Sequence, residues 1–119
     1  MVLLLGLAFA GNVYAQKFGT AGMWTSTTYN GEYWVQTAVN KNTSLSFVCN
    51  GGSSELSIQV NGKFYDYDNG QFELLIDGKR NGNLRALKTA KSIEAVYGKG
   101  KRIAFPTQNA QKVLAKCFK

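Results

Sequence analysis

The sequence predicts a mainly β protein, a small antiparallel β-sandwich or barrel with a short C-terminal helix. Three observations carry that expectation. Asn-Gly and Asp-Gly pairs recur along the chain, the stretches between them alternate apolar and polar residues, and only the last dozen residues change to helical spacing.

The turn pairs come first, because they divide the chain. They are Asn30-Gly31, Asn50-Gly51-Gly52, Asn61-Gly62, Asn69-Gly70, Asp77-Gly78 and Asn81-Gly82. Asn, Asp and Gly tolerate the positive φ that tight hairpins need. The segment from Tyr33 to Val39, rich in aromatic and β-branched residues, reads as a strand. In the next segment Leu45, Phe47 and Cys49 share one face while Ser44, Ser46 and Val48 share the other. Leu56, Ile58 and Val60 alternate with Ser57 and Gln59, and Phe72, Leu74 and Ile76 alternate with Glu73 and Leu75. Such alternation describes half-buried antiparallel strands. Ile93 to Tyr97 and Ile103 to Phe105 complete a set of six or seven strands. Phe64 to Asp68 is partly polar, lies between two turn signals and reads as a loop. After Pro106, Thr107 can cap a helix on which Ala110, Val113, Leu114 and Cys117 fall at i, i+3, i+4 and i+7.

The first residues read as an address rather than as structure. Val2 to Ala10 are almost all apolar, and Val13-Tyr14-Ala15 precedes Gln16 in the manner of a signal-peptide cleavage site. The apolar run is about half of the roughly 20 residues that a spanning helix requires. Residues 1–15 are therefore expected to be a signal peptide and 16–119 a single β-rich domain, periplasmic or secreted. The two cysteines, Cys49 and Cys117, lie 68 residues apart with no C-x-x-C pair. In an exported domain they are expected to form a disulfide.

The chain contains no histidine, which excludes imidazole-dependent triads and histidine-ligated metals. No cofactor or metal site is expected. Charge is the second informative feature. The net charge of +7 is uneven: residues 16–78 sum to −3, whereas residues 79–119 hold eleven basic residues against Glu94 alone. Lys79, Arg80, Arg85, Lys88, Lys91, Lys99, Lys101 and Arg102 are thus candidates for binding a polyanion such as lipopolysaccharide or nucleic acid. Tyr65, Asp66, Tyr67 and Asp68 combine aromatic anchors with acids and are candidates for contact with a protein partner. Asp66 and Asp68, two residues apart, would share a side if extended and could in principle support a small hydrolase. Gly98-Lys99-Gly100-Lys101 lacks the spacing of a phosphate-binding loop and reads as a basic turn.

The run from Leu45 to Cys117 resembles small exported bacterial proteins of the VasI and invasion-associated-locus-B kind. The resemblance lies in Leu45-Ser46-Phe47-Val48-Cys49, in the strand from Phe72 to Lys79, in Ile103-Ala104-Phe105-Pro106, and in Ala110, Leu114 and Cys117, with Trp24 near the mature start. It implies a periplasmic β-sandwich without enzymatic activity that acts through protein contacts. The expected function is accordingly that of an exported protein-binding domain. An immunity or inhibitor protein against a toxin or wall-degrading enzyme, or an accessory of an envelope machine, would fit. Polyanion binding through the basic C-terminal half is the alternative.

Overall fold

The computed structural model describes residues 21–49 and 56–118. The expected signal peptide and the Asn50-Gly51-Gly52 turn lie outside the described residues. Among the described residues, nine strands form two antiparallel sheets. The first sheet is a meander of β1 (Trp24–Tyr29), β2 (Glu32–Asn40), β3 (Thr43–Val48), β4 (Ser57–Val60) and β5 (Lys63–Asp66), in that spatial order. The second sheet contains β6 (Phe72–Ile76), β7 (Lys79–Arg80), β8 (Ile93–Tyr97) and β9 (Lys101–Phe105), in the order β7-β6-β8-β9. A 3-10 helix, Leu84–Thr89, links β7 to β8, and a five-residue helix α1, Ala110–Leu114, follows β9. The architecture is the sandwich-like, mainly β fold with a short terminal helix that the sequence predicts.

Local chemistry explains the meander. The β1–β2, β4–β5 and β6–β7 connections are two-residue turns with both residues at positive φ: Asn30 and Gly31, Asn61 and Gly62, Asp77 and Gly78. This is the turn whose twist matches paired strands, and Asn-Gly and Asp-Gly supply it at least steric cost. Pairing then places Val35 opposite Phe47, Thr37 opposite Leu45 and Ile58 opposite Tyr65 on one face of the first sheet. In the second sheet Leu74 faces Ala95, and Ile93 lies between Ile76 and Phe105. These two faces meet in one core that also takes in Leu87 of the 3-10 helix and Ala110, Val113 and Leu114 of α1.

Several elements differ from the expectation. β1 is a strand that alternation did not reveal: its Thr25-Ser26-Thr27-Thr28 run has no apolar period, and β-branched propensity with the following turn holds it on β2. Phe64 to Asp68 is not a loop throughout, since Lys63–Asp66 pairs with β4 and only Tyr67 and Asp68 enter the turn. The serine-bearing face of β3 is less open than period-two reading suggests. Ser44 is buried, flanked in register by Ala38 and Gln59, and Val48 is buried beside Trp34.

The C-terminal helix is shorter than its periodicity implies. Its N-cap is Asn109 in the left-handed region rather than Thr107, and Cys117 lies beyond its last turn. Tertiary bonds determine that geometry. The Trp24 indole N–H donates to the Pro106 carbonyl at 2.9 Å, and the Trp24 amide donates to the Gln108 carbonyl at 2.9 Å. The Asn109 side-chain amide donates back to the Trp24 carbonyl at 3.1 Å. The Tyr33 hydroxyl donates to the Val113 carbonyl at 3.4 Å, and the Cys49–Cys117 disulfide closes the arrangement. Cys49 immediately follows β3, so the bond ties the chain end to the middle of the first sheet.

Candidate functional site

The four residues proposed for partner contact do not act as one strip. Tyr65, on the core face of β5, packs its ring 5.1 Å from that of Tyr97. The Asp66 carboxylate accepts from the Asn69 side-chain amide at 2.9 Å, and the Asp66 backbone N–H donates to the Gln71 side chain at 2.7 Å. Asp66 therefore shapes the β5–β6 turn. Tyr67 and Asp68, one step further, line a cleft of about 330 Å³. Asp66 and Asp68 are thus divided between a structural and an open role, and the carboxylate pair read from their spacing is not assembled by an extended strand.

The cleft is built from four separate parts of the chain. Leu56, just ahead of β4, together with Leu84 and Phe118 forms its apolar surface. Tyr67, Asp68, Gly82 and Asn83 complete its lining. The Tyr67 ring is propped by edge contact with Phe72, with centroids 5.6 Å apart. Its backbone N–H donates to the Leu56 carbonyl at 3.1 Å. Asn83 is fixed as the cap of the 3-10 helix, since its side-chain oxygen accepts from the Arg85 N–H at 3.1 Å. The side-chain oxygen of Asn81 accepts in turn from the Asn83 N–H at 2.8 Å. Phe118 is held by several contacts, and the disulfide is adjacent to it. Its ring lies 6.3 Å from that of Phe47, its N–H donates to the Leu114 carbonyl, and its own carbonyl accepts from the Lys88 ammonium at 3.2 Å.

Gly82 lies close against the Tyr67 side chain. A β-carbon there would come within 3.0 Å of the Tyr67 hydroxyl. Gly82→Ala is therefore expected to displace the Tyr67 ring while shifting stability by less than about 0.5 kcal/mol, as exposed substitutions do. Thermal melting alongside the aromatic proton spectrum of Tyr67 checks this. An unmoved Tyr67 resonance would show that the ring does not lie against Gly82.

The basic residues fall into several places rather than one patch. Lys79 and Arg80 lie at one end of the second sheet, and Lys99, Lys101 and Arg102 at the other. The intervening five-residue strand is roughly 17 Å long. Arg80 pairs with Glu73 at 3.1 Å and Arg102 with Glu94 at 3.5 Å. The Arg85 guanidinium lies 5.6 Å from the Phe118 ring centroid, and Lys88 holds the Phe118 carbonyl. Lys91 belongs to the segment whose backbone N–H groups donate to the Asp77 carboxylate. Two of the eight candidates thus secure the chain end that forms the cleft. Sequence reading missed Leu56, Gly82, Asn83, Leu84 and Phe118 as site residues. The available signal was Asn83 ahead of Leu84 and Leu87, a cap followed by the i, i+3 spacing of a 3-10 turn.

Fold and site together define a disulfide-tied antiparallel β-sandwich with an aromatic cleft at the junction of its two sheets and its C-terminal end. Residues 22–114 match the sequence model of the YfjT family, and the chain belongs to that family. The match names neither VasI nor the invasion-associated-locus-B proteins. No curated protein and no solved structure matches the chain significantly. Among the described residues, no helix is long and apolar enough to cross a membrane.

Proposed function

We propose that this protein is an exported binding domain that recognises another protein through the cleft lined by Tyr67, Asp68, Asn83, Leu84 and Phe118. A toxin, a wall-degrading enzyme or an envelope machine would be a suitable partner. The observation that carries this reading is the cleft itself, a depression lined by Leu56, Leu84, Tyr67 and Phe118 together with the polar Asp68 and Asn83. Interfaces concentrate their binding energy in such places, where an anchoring side chain can be desolvated. Export is supported by the disulfide, because such bonds persist where thiols are oxidised.

Affinity capture from the envelope fraction tests the proposal. The expected result is a specific protein partner whose affinity falls at least tenfold with Tyr67→Ala. Failure to recover any protein, or a partner indifferent to changes in the cleft lining, would contradict it. Polyanion binding is favoured less by the structure, because two of the eight basic residues are paired with glutamates and the rest are spread over several surfaces. Its test is retention on heparin that weakens steeply with salt.

A further inference from the structure

The outer face of the first sheet is closed, although no layer of the described residues lies on it. The second sheet, the 3-10 helix and α1 all pack into the common core on the opposite face. An antiparallel sheet covered on one side ordinarily presents its other side to water. Here strand alternation turns Gln36, Ala38, Ser44, Val48 and Gln59 away from the core, yet all five are buried, with Gln36 only 1 % and Val48 2 % exposed. Ala38 and Val48 are buried apolar residues of this sheet that stand outside the core cluster. The Gln36 side-chain oxygen is also buried and finds no donor among the described residues. Buried acceptors are almost always paired, so this one marks where a covering segment brings an N–H.

We infer that residues 16–20 lie along this face over β2, with Gly19 beside Gln36 and Phe18 against Val48. The course follows from the point where the segment joins the described chain. Ala21 forms a parallel bridge with Ala38, and the Gly22 N–H donates to the Ala38 carbonyl at 2.9 Å. In a parallel pair both chains run the same way, so the residues that precede Ala21 head back towards Gln36 and Trp34. The lanes on either side of β2 are filled there, one by β1 and the other by β3. The core side is filled by the second sheet. The outer face is the course left. Five extended residues span at most about 17 Å. The four steps along β2 from Ala38 to Trp34, the register partner of Val48, cover about 14 Å. The length therefore fits. Phe18 is the large apolar side chain of this segment, and the backbone N–H groups around it are the donors that Gln36 lacks. The inference is independent of the protein-binding reading. It withdraws the outer face from partner contact and leaves the cleft accessible.

Overhauser contacts in the isotopically labelled full chain test it, and Phe18 ring protons are expected to contact the Val48 methyl groups. Phe18→Ala in the same chain should raise acrylamide quenching of tryptophan fluorescence at least twofold, because Trp34 lies on this face whereas Trp24 is wholly buried in the core. An unchanged far-ultraviolet circular dichroism spectrum checks that the variant folds, and if it does not, the contacts in the unaltered chain decide alone. The inference would be overturned by contacts to Val48 from the apolar leader or from residues 50–55 in place of Phe18. Contacts that arise only between differently labelled copies, no contact at all, or quenching indifferent to Phe18→Ala would overturn it equally.

Discussion

Removal of the disulfide by the paired replacement Cys49→Ala and Cys117→Ala is expected to destabilise the protein by about 4 kcal/mol. The two cysteines are 68 residues apart, and closing a loop of that length removes a large conformational entropy from the unfolded chain. For a domain of this size the corresponding drop in melting temperature is on the order of 20 °C. The effect should reach further than stability. Cys117 directly precedes Phe118, which packs on Phe47 and forms part of the cleft. Without the bond, the last described residues are retained by the packing of Phe118 on Phe47 and by the Leu114 carbonyl, Lys88 and Arg85. Partner affinity should therefore fall in the double variant even at temperatures where it remains folded. Calorimetry of the oxidised and variant proteins measures the first effect, and binding at 10 °C the second. Equal melting temperatures would show that the bond constrains nothing.

Trp24→Ala should cost about 3–5 kcal/mol, the usual range for deleting a large buried aromatic. Trp24 has no exposure, and its ring meets Phe47 edge-on at 6.4 Å. Three hydrogen bonds join Trp24 to Pro106, Gln108 and Asn109, so it brackets the segment that leads into α1. Trp24→Phe separates the two contributions. It keeps an aromatic ring but leaves the half-buried Pro106 carbonyl without its indole donor, a loss of about 1 kcal/mol. Denaturant unfolding monitored by far-UV circular dichroism gives both values. If Trp24→Phe costs nothing, the indole N–H bond does not organise the C-terminal segment.

The sequence was most informative where one local rule sufficed. The turns at Asn30-Gly31, Asn61-Gly62 and Asp77-Gly78 were legible because left-handed geometry is chemically restrictive. The apolar faces of β3, β4 and β6 were legible because one face of each enters the core. β1 was not, because Thr25 to Thr28 presents no alternation and its place depends on pairing with β2. The helix limits misled for a similar reason. Ala110, Val113 and Leu114 are buried as the spacing implies, but Cys117 approaches the core from a turn, drawn there by the disulfide and the Leu114 carbonyl.

The site was the least legible part. Tyr67 and Asp68 stood out as an aromatic beside an acid, but the same argument selected Tyr65 and Asp66, which the fold commits to packing and turn formation. Leu56, Gly82 and Phe118 are unremarkable in a one-dimensional reading. They become site residues only through juxtaposition, with Gly82 brought against the Tyr67 hydroxyl and Phe118 carried in by the disulfide. Charge asymmetry suggested a single basic surface. Strand register instead sends Lys79 and Lys101 to opposite ends of one sheet.

The proposal that this chain works as an exported, oxidised binding domain is tested most directly by intact-mass analysis of protein taken from its native host and alkylated without reductant. The account predicts a chain beginning at Gln16, two hydrogens lighter than its reduced mass and carrying no alkyl group on Cys49 or Cys117. A chain that retains its apolar leader, with both cysteines alkylated, would contradict it.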